Sequence, residues 1–131
     1  MRVYMLNNLS LPPTHPVLLG AIERRHKALA HLNARLEKAK WLAGDQFSAA
    51  DIMVLVIVTT IRQFARTDLG AYPNVLRWMR DCVDRPAYRK AMARADPGID
   101  VESEVSAEGP ALFRGIAEAR EMARKEAEGR A

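Results

Sequence analysis

Cysteine is nearly absent from this chain of 131 residues, which contains Cys82 alone. A single cysteine cannot form an intrachain disulfide, so the composition argues against a secreted, disulfide-stapled scaffold. Residues 1–6 are too short to be an apolar signal peptide. We therefore expect a cytoplasmic protein, and the length suits one domain with its own core.

Groups that carry chemistry are also scarce. There is no glycine-rich phosphate loop in the sequence. His26 and His31 are five residues apart and fall on different faces of a helix, and neither they nor His15 has a cysteine or carboxylate at ligand spacing. Cys82 has no neighbouring histidine or helix start to activate it. The sequence thus predicts no catalytic residue, no metal site and no cofactor-binding residue.

Long runs of basic residues and long runs of apolar residues are missing as well. The net charge of +4 is scattered, without a basic run or interleaved aromatic residues, so we expect no nucleic-acid partner. The uncharged stretch from Ile52 to Ile61 has 10 residues, whereas a membrane-spanning helix needs about 20 apolar residues. We therefore expect no membrane-bound segment.

What the sequence does contain is the signature of a capped helix. Ser48 suits the N-cap, and Asp51 can reach back to the Ser48 amide, as in a capping box. Phe47 and Ile52 have the spacing of a hydrophobic staple. The many β-branched residues that follow would suit a strand, but the length of the run and the cap favour a helix. Because this helix has no charged face, we expect it to be buried on all sides in the middle of a bundle.

Prolines and an apolar stripe indicate further helices. A helix over about residues 16–41 is predicted, with Thr14 as its cap and Pro16 in its first turn. Gly44 suits the left-handed position beyond its end. The inward stripe of this helix, interrupted only by Arg25, consists of Leu18, Ile22, Leu29, Leu32, Leu36 and Ala39.

The second half of the chain changes character near residue 100. Pro73 is expected to begin a third helix, and Asp84 to cap a short fourth helix that contains Pro86. The sequence thus predicts an all-α helical bundle, without a sheet, in residues 1–100. Residues 101–131 are expected to form a polar linker followed, from about residue 110, by a weakly docked C-terminal helix.

The segment from Trp41 to Ile52, placed after a long helix, resembles the C-terminal helical domain of the cytosolic glutathione S-transferases. In that family the capped central helix, with its Ser/Thr-x-x-Asp box and staple, is the usual local signature. The downstream stretches 72–78, which has proline at its second position, and 85–88 also resemble the family pattern. The resemblance covers about residues 12–98.

This resemblance implies the domain that forms the hydrophobic-substrate side and the dimer contacts of an enzyme conjugating glutathione to electrophiles. In that family a thioredoxin-like domain binds glutathione and activates its thiol, and residues 1–15 cannot form such a domain. We therefore expect a truncated product or one piece of a split enzyme, inactive alone, with glutathione as co-substrate only when joined to the missing domain. The family builds its substrate pocket from the first and last helices, which implies Tyr4 and Phe113 as pocket residues.

The expected partners follow from the same resemblance. They are a second copy of the chain or a thioredoxin-like domain, together with hydrophobic small molecules. The alternative is a non-catalytic helical protein-interaction module, a use to which this domain is put in translation-associated proteins.

Overall fold

The computed structural model describes residues 12, 14–111, 121–122, 124–125 and 127–129. Five helices follow one another within residues 14–111: α1 (Pro16–Lys38), α2 (Ala49–Phe64), α3 (Pro73–Val83), α4 (Pro86–Ala95) and α5 (Val101–Glu104). Within the described residues the β-type pairing is one isolated bridge between Trp41 and Gly44. The predicted all-α fold is confirmed.

Proline at the first helical position fixes where three of these helices begin. Because Pro16 and Pro86 occupy that position in α1 and α4, the residue immediately before each one is the N-cap. His15 therefore caps α1, and its Nδ1 accepts a hydrogen bond from the Val17 amide at 3.3 Å. The predicted caps Thr14 and Asp84 are wrong by one residue. Asp84 instead ends α3, and its carboxylate accepts a hydrogen bond from Arg89 at 2.7 Å.

Helix α1 ends at Lys38, three residues earlier than predicted. Its last turn is held by Arg77 of α3, whose Nη2 donates to the carbonyl of Leu36 at 2.9 Å. Gly44 does adopt a positive φ of 130°, but in the tight loop after the helix, where its amide and carbonyl pair with those of Trp41. The loop thus folds back and buries the Trp41 ring.

Helix α3 lies at the centre of the core. It packs against α1, α2 and α4, and buries five side chains, including the fully enclosed Trp78. Helix α1 supplies part of the predicted stripe to the same core, and α2 supplies Leu55. The buried cluster consists of Leu29, Leu36, Trp41, Leu55, Leu69, Val75, Trp78, Met79, Cys82, Val83 and Val105.

The prediction that α2 is buried on all sides is wrong. Its buried residues, Asp51, Leu55, Thr59 and Arg62, recur every three or four positions and therefore lie on one face. The uncharged residues elsewhere on this helix form an exposed apolar face instead. Four side chains on this face are 52–68% exposed. They are Ile52, Met53, Val56 and Ile57. No helix among the described residues is long and apolar enough to cross a membrane.

The expected linker at residues 101–109 is instead packed against α2. Arg62, at the end of α2, is 1% exposed, and its guanidinium is enclosed by backbone carbonyls. Its Nε donates to Thr67 at 3.2 Å, its Nη1 to Glu104, and its Nη2 to Ser106 and Ala107 at 2.7 and 3.0 Å. A polar stretch of sequence folds here because its carbonyls satisfy a buried cation.

A glycine on this segment gives a direct test of that packing. Gly109 has φ 89°, and a Cβ there would lie 2.7 Å from Nη2 of Arg62. Gly109→Ala should therefore lower the free energy of unfolding by about 1–3 kcal/mol, through backbone strain and a clash with Arg62. Gly98→Ala is the matched control, since its Cβ would meet nothing nearer than 3.8 Å. Equal urea midpoints for the two variants would show that residues 101–109 do not pack as described.

Candidate functional site

The buried carboxylate of Asp51 joins three separate parts of the chain. Its Oδ1 accepts hydrogen bonds from the Leu42 amide at 3.0 Å and from the Trp78 indole at 2.8 Å. Its Oδ2 accepts from the amide and hydroxyl of Ser48 at 2.9 and 3.2 Å. The predicted capping box of Ser48 and Asp51 is present at the start of α2. The contacts to Leu42 and Trp78 were not predicted, and they extend the cap into a connection between α3 and the preceding loop.

These donors also determine the ionisation of Asp51. Burial by itself would raise the pKa of this carboxyl group, but the hydrogen bonds from Leu42, Trp78 and Ser48 outweigh burial. The pKa of Asp51 is therefore held below its usual value of 3.8. The group is ionised at neutral pH with four donors directed at it, so it is a structural anion and not a proton carrier.

The two residues of the predicted staple are in different surroundings. Phe47 is half-buried and meets the Trp41 ring edge-on, with the two ring centroids 5.2 Å apart. The Arg85 guanidinium lies over the Phe47 ring, 3.8 Å from the centroid of that ring. Ile52 is 52% exposed. A contact between Phe47 and Ile52 remains a prediction.

An apolar cleft of about 670 Å³ lies between α1 and α2. Its size falls within the range of small-molecule sites. Four of its lining residues are polar or basic, namely Arg24, Arg25, His31 and Arg35. The other eleven are apolar: Ala21, Ala28, Leu29, Leu32, Leu42, Val54, Ile57, Val58, Ile61, Phe64 and Ala65.

A second cleft, of about 520 Å³, lies on the other side of α2, against α4 and the segment after it. Three polar groups on its wall are paired with one another: Glu104 accepts hydrogen bonds from Gln63 at 3.3 Å and from Tyr88 at 3.0 Å. Burial and the nearby Glu104 charge raise the pKa of Tyr88. These groups hold α2, α4 and α5 together and are not free to act on a ligand.

Neither the thiol nor the histidines form a reactive group. Burial, followed by the charges of Asp51 and Asp81, raises the pKa of Cys82 to about 12, so the thiol stays protonated at neutral pH. His26 Nδ1 lies 2.9 Å from the Tyr72 hydroxyl. Among the described residues, no group of three or more His, Cys, Asp or Glu side chains could hold a metal ion.

The pocket residues implied by the family resemblance, Tyr4 and Phe113, lie outside the described residues. The sequence did not predict the positions of two arginines, Arg25 on the wall of the first cleft and Arg62 in the interior. The sequence marks Arg25 as unusual, because this residue interrupts the apolar stripe of α1. The sequence also indicates that Arg62 faces inward, because it falls eleven residues after Asp51 and seven after Leu55, on the same helical face.

The depressed pKa of Asp51 predicts a pH-dependent contribution to stability. A group whose folded pKa lies below its unfolded value stabilises the fold above the unfolded pKa, and this contribution is lost as pH falls through the folded pKa. Asp51→Asn should therefore lower the free energy of unfolding by about 1–3 kcal/mol at pH 7. The difference from the unmodified chain should shrink as pH falls below 3.8.

Urea unfolding across this pH range measures that difference. The exposed Asp45 of the preceding loop provides the control, since Asp45→Asn should unfold like the unmodified chain at every pH. A deficit for Asp51→Asn that stays constant down to pH 2.5 would contradict the assignment of Asp51 as a charged hydrogen-bond acceptor.

Comparison with known proteins identifies the family. Residues 12–86 match the family described as "Glutathione S-transferase, C-terminal domain". The chain is 33% identical over 87 residues to the "Probable glutathione S-transferase GSTF2" of Oryza sativa subsp. japonica, covering 66% of this chain and 40% of that protein. It is 37% identical over 93 residues to the "Disulfide-bond oxidoreductase YfcG" of Escherichia coli K12, covering 70% and 42%.

A more distant relative is the human "Aminoacyl tRNA synthase complex-interacting multifunctional protein 2", 27% identical over 73 residues, which are 56% of this chain and 22% of that protein. No solved structure gave a significant match. The chain spans about two fifths of the length of the first two relatives. The family match covers more than half of these 131 residues, and the chain therefore belongs to the glutathione S-transferase C-terminal domain family.

Proposed function

We propose that this chain serves as the hydrophobic-substrate side and dimer-contact part of an enzyme that conjugates glutathione to electrophiles. The observation that carries the proposal is the apolar cleft between α1 and α2, which shares Ile57 with the exposed apolar face of α2. Such a wall binds hydrophobic compounds but does not activate a thiol. Since the segment matched in the first two relatives is only 40% and 42% of their length, the glutathione-binding part would come from another domain.

The chemistry of the described residues supports an inactive chain when alone. Conjugation needs a thiolate beside a positioned donor, and recognition of glutathione needs partners for its two carboxylates and its backbone. The wall of the first cleft is apolar at eleven of fifteen positions and basic at the other four, so it has no carboxylate for the ammonium group of glutathione. The paired Gln63, Tyr88 and Glu104 of the second cleft offer no free donor set in its place.

The exposed face of α2 supports a protein partner. Ile52, Met53 and, one turn later, Val56 are more than half exposed, and apolar patches of this kind mark contact surfaces. We propose a second copy of the chain or a thioredoxin-like domain as the occupant. A cytoplasmic setting agrees with the buried, protonated thiol of Cys82.

A second candidate function is a non-catalytic interaction module. It is favoured by the similarity to the human protein whose name describes it as interacting with an aminoacyl tRNA synthase complex. The exposed face of α2 would serve such a module equally well. The two candidates differ over the cleft, because a module has no need to bind a small hydrophobic electrophile.

The proposed function predicts a separation of binding from turnover. The chain alone should give no saturable heat with glutathione and no conjugation of 1-chloro-2,4-dinitrobenzene above the uncatalysed rate. It should nevertheless bind this aryl halide in the cleft. Ile57→Gln should weaken that binding about three- to tenfold, because it places an amide on the apolar wall.

Ile52→Gln is the matched control. Ile52 is as exposed as Ile57, at 52% against 56%, but does not line the cleft. Calorimetry and the conjugation assay measure both effects. Absence of aryl-halide binding, or equal weakening by both substitutions, would favour the interaction module. Turnover by the chain alone would contradict the proposal.

A further inference from the structure

The outward face of α2 is free of charge over three helical turns. Within residues 49–61 the one charged side chain is Asp51, which is buried. Four apolar side chains of this stretch are more than half exposed, namely Ile52, Met53, Val56 and Ile57. Ile57 lines the first cleft and Val56 the second, so the face runs between the two clefts. A monomeric protein rarely leaves such a face open to water.

The exposed positions have the spacing of a helix-pairing seam. Four exposed residues recur at steps of four, three and four, as the core positions of a coiled coil do. This α2 seam consists of Ala49, Met53, Val56 and Thr60. Its two ends are short side chains, which let a second helix approach closely. Ile52 and Ile57 flank the seam on opposite sides and widen the apolar surface. The shape that fits this surface is another helix.

The α2 seam is also complementary to itself. Its four positions are symmetric about the point between residues 54 and 55. When two copies of α2 lie antiparallel about a two-fold axis through that point, each seam residue therefore meets a seam residue of the other copy. The pairs so formed are Met53 with Val56, and Ala49 with Thr60, of the other copy. Each pair occurs twice, and none of them joins two charges.

Electrostatics favour the antiparallel direction. Parallel pairing would place like ends of the two helix dipoles side by side, whereas antiparallel pairing places opposite ends together. The charges of α2 do not oppose the contact, because Asp51 and Arg62 are both buried in the interior of their own chain. The seam gives a different protein no charge by which to be selected. A two-fold contact needs only the self-complementarity that the seam has.

We propose that α2 pairs antiparallel with α2 of a second copy across this seam, so that the chain forms a two-fold symmetric dimer. The inference rests on the proposed function of the exposed α2 face as a protein contact, and it names the occupant and the register. Six side chains of each copy take part, whereas a standard interface has about 20–30 residues a side. We therefore expect a weak dimer, with a Kd of about 10–100 µM.

Sedimentation equilibrium of the full chain, over about 5–500 µM, measures this association. Met53→Lys and Val56→Glu should each weaken it at least about tenfold, because each places an unpaired charge in the seam. Leu19→Glu is the matched control, since Leu19 is 51% exposed but belongs to α1. This control should change the Kd less than about twofold. All three substituted side chains are exposed, so urea midpoints should show that the variants remain folded.

An equimolar mixture of Met53→Lys and Val56→Glu tests the register. In the antiparallel dimer the introduced lysine faces the introduced glutamate of the other copy, and the second pair of the seam stays apolar. The mixture should therefore associate at least about fivefold more tightly than either variant alone. Parallel pairing would set each introduced charge against its own kind and give no such gain.

Three results would overturn the proposal. They are a chain that stays monomeric at about 500 µM, a dimer that both seam substitutions leave intact, and a mixture no tighter than its components. The first would leave a different domain as the occupant of the α2 face. These measurements use neither glutathione nor an electrophile. A monomer that binds the aryl halide in the cleft would contradict the dimer alone, and a dimer that does not bind it would contradict the transferase proposal alone.

Discussion

A buried carboxylate that receives hydrogen bonds from both ends of a loop fixes the start of α2. Asp51 holds the Leu42 amide at the beginning of that loop and the Ser48 amide at its end, while Trp78 of α3 donates to the same oxygen as Leu42. An isolated carboxylate would be costly at 0% exposure, and these donors offset that cost. The direction in which α2 leaves the loop, and with it the floor of both clefts, depends on this group.

The far end of α2 is fixed by the opposite charge. Arg62 lies on the same helical face as Asp51 and is enclosed by carbonyls from the end of α5 and the segment that follows it. Both polar anchors thus point into the protein, which is the reverse of the usual amphipathic arrangement. The uncharged residues between them are left on the outer face, where Ile57 forms part of the cleft and Met53 is open to solvent. The surface that we propose for function follows from where these two charges are buried.

Much of the fold could be predicted from local sequence. The capping box of Ser48 and Asp51 and the prolines that begin helices act within a few residues, so their outcome hardly depends on the rest of the chain. Two cap assignments failed by one residue because proline at the first helical position makes its predecessor the cap. The packing of residues 101–109 could not be predicted, because it depends on Arg62 some 40 residues away in sequence.

The candidate site was less accessible to sequence reasoning for a related reason. An uncharged helix has the same sequence pattern whether it is enclosed on all sides or exposes an apolar face. Which of the two occurs depends on the neighbouring elements that pack against it. Arg25 interrupts the stripe of α1, which marks it as unusual, but the burial of its Nε and Nη1 without hydrogen-bond partners is a property of the folded arrangement. The pocket residues Tyr4 and Phe113 rest on family resemblance and stay predictions.

A double-mutant cycle between Asp51 and Trp78 tests most directly whether the buried carboxylate connects α2 to α3. The free energy of unfolding is measured in urea for Asp51→Ala, Trp78→Phe, the double variant and the unmodified chain. Since the indole nitrogen lies 2.8 Å from Oδ1, we expect a coupling energy of about 1.5–3 kcal/mol. Additive effects, with a coupling energy below about 0.5 kcal/mol, would contradict the central role given to Asp51.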